Sequence, residues 1–560
     1  MKPPIQALSC TLITPFTAAI LLLLSLTQTT RADLLYELEQ EERFVTVGYR
    51  TASFNIDLEK EECRNTIKTG VIVQSSPSVN PNDYSRTATV AIDISKAFDA
   101  VPHSLLIKEI CETGLHPNLV HWLATYLRGR QSRVMWQGVL SPWRNVKTGV
   151  PQGSVLGPIL LNFYVRDCPV SQPSYADDFN FSRSAVNIDE IERGLQEDLD
   201  KVVDWAKSKL LTIAPGKSSI TLFTPDKARP GEHPSSGHHR RNCHSLGEAP
   251  SYILGVHFDA HFHFNTHVIE VAKKSRGKVR ILNSLAGTGW GCQKETLLKV
   301  YRTYVEPAIN YSAAIWTPNA SESSFQILQR IQNRALRIAT GCHANTDISH
   351  LHNETKITLV KDHLDLLSSQ FLLGCHHISH PSHELVRQYP GARRMKHTLS
   401  TKYSHKVDRF LTNGVLDPAD YKDALKTLHT EAVTNTIAKL GNNPILGTPP
   451  PIASSESRLT RKQRSTLAQL RSGQCHLLND YLVLTGRSHS ALCPECLIRR
   501  HTVKHLFNCD AAPTTLTMKD LWNNPVSVIA FLVTLPSFSS LEPTLPSHPP
   551  APPPPPEPPP

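Results

Sequence analysis

Two adjacent carboxylates stand in Ser174-Tyr175-Ala176-Asp177-Asp178-Phe179-Asn180, between short runs of strand-forming residues. A β-hairpin whose turn carries two acids can hold hard divalent cations at a solvent-accessible edge, where a charged substrate reaches them. Two carboxylates do not complete a two-metal site. The natural third is Asp93, which ends the β-type run of Thr89-Val90-Ala91-Ile92-Asp93-Ile94-Ser95-Lys96-Ala97-Phe98-Asp99. Three clustered carboxylates repel one another strongly unless cations neutralise them, which argues against a purely structural trio.

Between these acids lies Lys147-Thr148-Gly149-Val150-Pro151-Gln152-Gly153-Ser154-Val155-Leu156-Gly157-Pro158, a glycine-punctuated loop entering an apolar segment. Glycine lets main chain approach a nucleotide or template base more closely than a residue with a Cβ. In this order and spacing, acid-x4-Phe-Asp, Gly-x-Pro-Gln-Gly-Ser-x-Leu-Gly-Pro and Tyr-Ala-Asp-Asp resemble the palm of a reverse transcriptase of non-LTR retrotransposons, the jockey-like LINE group. The resemblance implies an RNA-directed DNA polymerase, with an RNA template, a DNA primer and dNTPs as partners. Asp93, Asp177 and Asp178 would be catalytic and would hold two Mg²⁺ ions. Phe98 would exclude the ribose 2′-hydroxyl, its other reading being ordinary core packing, and Gln152 and Gly153 would position the template and nucleotide. Leu211 to Ser218 resembles the next palm block, whose lysine, here Lys217, approaches the triphosphate; a surface lysine after a Pro-Gly turn is the equal alternative. Asp99 reads as a structural, hydrogen-bonded acid.

The elements that must position these residues follow from pattern. Strand-type runs around Asp93 and the Asp177-Asp178 pair predict an antiparallel sheet. Ile191, Leu195, Leu199, Val202, Val203, Ala206 and Leu210 recur at helical spacing behind an Asn187 cap, predicting one helix across the back of that sheet. Ser104 or His103 precedes another predicted helix with apolar spacing. Trp122, Tyr126, Arg128, Arg130 and Arg133 form a basic, aromatic stretch suited to template phosphates, or to a solvated helix end. Tyr252 to Asp259 resembles the primer-gripping hairpin, and the basic helix from His267 suits duplex phosphates. The expected fold is α+β: a right-hand polymerase palm of antiparallel sheet with helices behind it, a helical thumb and a small C-terminal zinc module.

Composition, together with the fingers, palm and thumb that the resemblance implies, divides the chain. An apolar, leader-like segment covers 1–33, an atypical segment 34–84 stands where fingers are expected, and the palm runs 85–260. A helical thumb follows at 261–345, a helical connector at 346–474, a CCHC zinc-knuckle-like module at 475–525 and a Pro-rich tail at 540–560. In the module, Cys493, Cys496, His505 and Cys509 have the spacing of a tetrahedral Zn²⁺ site, with His501 as a competing fourth ligand. A region this short would need its metal to fold. Arg458, Arg461, Lys462, Arg464 and Arg471 make a basic run beside it. The tail could dock on SH3 or WW modules or serve as a spacer.

The 560 residues are 40% hydrophobic and 19% charged, enough for a sizeable core, and the net charge of +10 suits a polyanionic partner. The 12 cysteines are scattered and do not read as a secreted disulfide framework. The apolar run from Ala7 to Leu26 has a signal peptide's layout, yet a polymerase needs an intracellular location, in cytoplasm or nucleus. No Gly-Phe-Arg segment of the fingers is found before Asp93. Two rivals follow: a catalytically inactive, nucleic-acid-binding retroelement remnant lacking fingers, and a secreted protein of unrelated function.

Overall fold

The computed structural model describes residues 86–170, 174–175, 178–185, 187–223, 251–287, 291–378, 380, 382–383, 386 and 398–541. The leader-like segment, the atypical segment 34–84, Asp177 and the proline tail beyond 541 lie outside the described residues. The chain groups into two compact units, one of residues 1–267 with 375–394, the other of 268–374 with 395–560. This division is coarser than the seven segments expected from composition.

The first unit is built on β1 (Arg86–Asp93), whose alternating Thr, Ala, Val and Ile give it strand propensity without bulk. Thr87 to Ile92 are all buried, as befits a strand covered on both faces. The sheet also contains β6 (Ser174–Tyr175), β7 (Asp178–Ala185) and β8 (Ser219–Phe223). Its order is β6-β7-β1-β8, antiparallel at every pairing. Between β1 and β7 the chain forms α1 (Ala97–Ala100), α2 (His103–Cys111) and α3 (Pro117–Leu127). A ribbon follows, made of β2 (Gln131–Ser132), β3 (Met135–Trp136), β4 (Val139–Leu140) and β5 (Arg144–Asn145). After it come the Lys147 to Pro158 loop and α4 (Leu156–Val165).

Helix α5 (Ile188–Ser208) packs on the sheet as its periodicity predicts. Asn187 caps it, its side chain accepting from the Asp189 amide at 2.9 Å. Its buried stripe is Ile191, Leu195, Asp198, Val202, Trp205 and Ala206. Leu210 was expected on that stripe, but the helix ends at Ser208 and Leu210, at φ 54°, turns out to solvent. Asp198 takes an inward place because Arg183 on β7 meets it with two hydrogen bonds, of 2.6 and 2.8 Å, fastening helix to sheet. The apolar core joins Val90 and Ile92 to Leu106, Ile110, Leu160, Leu161, Tyr164 and Phe181. A second hairpin, β9 (Ser251–Ile253) and β10 (Val256–Phe258), turns at Leu254 and Gly255, both at positive φ.

The second unit is helical, with α6 (Asn265–Ser284), α7 (Lys294–Val300), α8 (Glu322–Thr340), α9 (Ile348–Thr355), α10 (Val360–Cys375), α11 (Leu399–Val407), α12 (Tyr421–Lys439) and α13 (Arg461–Arg471) as its main elements. Helix α6 begins at the boundary between the two units. Arg461, Arg464 and Arg471 of the basic run turn inward. Arg461 donates to the last carbonyls of α8, at 2.7 Å for Ile338. Arg471, fully buried, meets Glu354 at 3.0 Å and also Glu456, while Lys294 lies 2.9 Å from Glu354 and 3.1 Å from Glu456. Burial alone would push the Glu354 carboxyl up, but Arg471 and Lys294 outweigh it and hold it down at about 2. Among the described residues no helix is long and apolar enough to cross a membrane.

Candidate functional site: a carboxylate edge and a Cys3His cluster

Asp93 is the last residue of β1, and its Cα partner across the antiparallel pairing is Asp178, the first residue of β7. Tyr175 pairs with Asp178 in turn, so β6 runs antiparallel to β7 on its other side. The backbone thus brings two of the three expected acids to one end of one sheet.

The block after α5 laces this end of β1. Ala214 N donates to the Asp93 carbonyl at 2.8 Å, Ser95 N donates to Thr212 O at 2.8 Å, and the Asp93 amide donates to Ser218 Oγ at 3.3 Å. Ser218 in turn donates to Ala214 O at 2.9 Å. Lys217, in the same turn, places Nζ 3.2 Å from Asp93 Oδ2, with its own side chain 71% exposed. Asp93 Oδ2 is buried and accepts no aligned hydrogen bond. Sequence reasoning missed Ser218; its signal was its place one residue after the singled-out lysine.

The glycine loop is strapped to the segment following β1. Gly149 N donates to Val101 O and Val150 N to Phe98 O, each at 2.7 Å, and His103 bonds the Gly149 carbonyl at 2.8 Å. Ser104 or His103 was expected to precede this helix; both lie inside α2, which Pro102 precedes, and the His103 ring serves the loop. Gly149 has φ +90°, and a Cβ there would lie 2.8 Å from the Asp99 Cα, so only glycine fits this crossing. Gln152 is exposed and donates from Nε2 to Asp99 Oδ1 at 3.2 Å, which gives Asp99 its structural partner. Gly153 is exposed with φ +81° and open space where a Cβ would stand. Phe98 is half-buried and packs against the core.

In the second unit Cys493, Cys496, His505 and Cys509 bring their ligand atoms within 4.8 Å of one another. The Cys493 and Cys509 sulfurs are 3.9 Å apart, and Cys496 Sγ is 3.3 Å from His505 Nε2. A tetrahedron with metal–sulfur bonds of about 2.3 Å has edges of about 3.8 Å, so the four donors fit a zinc-sized ion. Amides of Arg499 and Ile498 aimed at Cys496 hold its thiol down at about 6, favouring the thiolate that zinc requires. His501 is settled otherwise: its Nδ1 accepts from the Asn479 amide at 3.2 Å, its ring is buried against Phe538, and burial pushes it down to about 4. The expected 475–525 module is also larger than its spacing suggested. Its apolar cluster runs from Leu459 through Leu470, Trp522 and Leu532 to Leu541, so the four donors sit on a core that does not consist of them alone.

With this geometry in view, comparison with known proteins gives the class. Residues 52–258 match the family model for reverse transcriptase (RNA-dependent DNA polymerase). Within that class its relatives are polymerases of mobile elements. The chain is 30% identical over 317 residues to a protein of Drosophila melanogaster described as the probable RNA-directed DNA polymerase from transposon X-element, covering 54% of this chain and 33% of that one. It is 24% identical over 342 residues to the RNA-directed DNA polymerase from mobile element jockey of Drosophila funebris, covering 59% and 36%. The chain therefore spans about a third of the length of these relatives.

Proposed function

We propose that this chain is an RNA-directed DNA polymerase of a non-LTR, jockey-like retrotransposon, a nucleotidyltransferase that extends a DNA primer on an RNA template. The observation that carries the reading is the register that sets Asp178 opposite Asp93, with Tyr175 paired to Asp178 on the other side. The carboxylates are hard oxygen donors, and Asp93 Oδ2 is held without an aligned hydrogen bond, which suits a divalent cation. Asp93, Asp177 and Asp178 would hold two Mg²⁺, which when bound lower the pKa of the primer 3′-hydroxyl and neutralise charge on the reacting phosphate. Lys217 sits where its ammonium can leave Asp93 for a triphosphate or pyrophosphate oxygen. Gln152 and Gly153, exposed on a loop fixed by Gly149 and His103, would seat the template and nucleotide, and Phe98 would close off the ribose 2′ position.

The architecture proposed with this function is a right-hand palm in the first unit and a helical thumb beginning at α6, with Cys493, Cys496, His505 and Cys509 closing a Zn²⁺ site in the C-terminal module. The partners are RNA template, DNA primer and dNTPs, and the working location is intracellular. The rival, an inactive nucleic-acid-binding remnant, is favoured by the lack of a Gly-Phe-Arg segment in residues 34–84. Primer extension on an RNA template with Mg²⁺ separates the two. Salt-sensitive RNA binding without extension would establish the remnant.

A further inference from the structure

From Thr113 to Arg166 the chain contains no aspartate or glutamate and six basic residues, Arg128, Arg130, Arg133, Arg144, Lys147 and Arg166. Its middle is the ribbon β2–β5, in which every residue from Gln131 to Asn145 is exposed. Met135 pairs with Leu140 and Trp136 with Val139, so successive pairs put apolar side chains on both faces. Trp136 is 73% exposed and Trp143 57%, with Val134, Met135, Val139 and Leu140 also in water. A two-stranded ribbon with no buried face is marginal alone, and an apolar surface of this extent marks a place of contact.

Charge and ring geometry indicate what binds there. Trp122 and Tyr126 on α3 stack at 5.9 Å and 12°, Arg130 lies over Tyr126 at 5.5 Å, and Arg133 lies over Trp143 at 4.3 Å. Aromatic faces interleaved with guanidinium groups, with no acid to repel phosphate, match what a single strand of nucleic acid presents: unpaired bases to stack and a charged backbone to follow. Arg166 lies apart, paired with Glu109 at 3.9 Å, but an apolar protein partner would use the aliphatic side chains and gain nothing from the five cations of Arg128 to Lys147.

We infer that the ribbon from Gln131 to Asn145, together with Trp122 and Tyr126, is a platform for single-stranded nucleic acid. Trp136 and Trp143 stack on bases while Arg130, Arg133 and Arg144 meet phosphates. The ribbon is rooted in the glycine loop: Val146 N donates to Arg130 O at 2.8 Å, and Thr148 bridges to Pro102 in the segment leaving Asp93. The base of the platform is thus tied to the same segment that leaves Asp93. This deepens the polymerase reading by giving the unpaired template a seat, but the binding itself needs neither carboxylates nor metal.

The test uses the full chain in EDTA, following fluorescence anisotropy of a labelled, unstructured uridine-rich oligoribonucleotide against a perfect RNA duplex over a salt series. Trp136→Ala with Trp143→Ala is expected to weaken single-strand binding about tenfold or more, with duplex binding unchanged. Arg130→Gln with Arg133→Gln is expected to make the log–log salt dependence shallower by about 1.4. These side chains carry none of the core, so melting temperatures should match the parent chain. Asp177→Asn is expected to bind normally, which separates a failure here from a failure of the polymerase reading. Unchanged affinity and salt dependence in both double variants would overturn the platform. So would slow amide exchange across 131–145 before RNA is added and unaltered by it, since another part of the chain or a second copy would then cover the ribbon.

Discussion

Lys217 and Asp93 form an ion pair at the edge of the sheet, and the lysine is the more exposed partner. A surface ion pair of this kind contributes little to stability, so its value lies in where it places the ammonium. Lys217→Ala should leave thermal stability within about 1 kcal/mol of the parent and slow single-turnover nucleotide addition; an unchanged addition rate would return Lys217 to the ordinary surface. Phe98 is held half-buried beside the loop crossing, and Phe98→Val should admit ribonucleotides in an extension assay. Unaltered sugar selectivity would mean that Phe98 only packs. At Gly149 the constraint is geometric. Gly149→Ala forces a Cβ against Asp99 and a strained φ, and should cost about 1–3 kcal/mol in denaturant unfolding.

At the scale of elements, the buried charges of the second unit make a sharp demand. Glu354 is held at about 2 against an ordinary 4.5, so its contribution is present above pH 4.5 and is lost as pH falls from there toward 2. Urea unfolding across that window should show stability falling with pH. Glu354→Gln should flatten the fall while costing about 3–5 kcal/mol at neutral pH, because Lys294 and Arg471 are left buried without their shared carboxylate. The Cys3His cluster gives a contrasting expectation. Chelation should speed amide exchange across 491–509 but leave α13 and the apolar cluster from Leu459 to Leu541 protected. Exchange accelerating uniformly through 459–541 would show that the metal holds the whole segment.

These elements were legible to different degrees. The β1 and β7 strands and the α5 stripe followed from short-range patterning, because burial on a sheet or helix face repeats at a fixed period. The inward places of Asp198 and of Arg461, Arg464 and Arg471 did not, because an arginine on a solvated helix and one paired to a distant glutamate are written with the same letter. Glu354 and Glu456 lie more than 100 residues apart in the chain and only folding makes them neighbours. Spacing placed His505 in the Cys3His pattern and left His501 as a competitor; the Asn479 amide, 22 residues upstream, gives His501 another partner. The stretch from Trp122 to Arg133 was read as basic and aromatic, but the exposed apolar ribbon that follows it was not singled out, since sequence gives its composition but not that both of its faces stay uncovered.

Taken whole, the chain carries a segment, residues 52–258, that matches the reverse transcriptase family model, and a helical unit that holds a metal-sized Cys3His cluster, and it spans about a third of the length of its mobile-element relatives. The central claim is that Asp93, Asp177 and Asp178 jointly activate a primer end. The most direct measurement is extension of a DNA primer on an RNA template with Mg²⁺ and dNTPs, comparing the parent chain with Asp93→Asn and Asp177→Asn at matched template binding. Template-directed extension by the parent and a loss of about 10³-fold or more in both variants is the expected result. Extension that persists at the parental rate in either variant, with template still bound, would contradict the assignment.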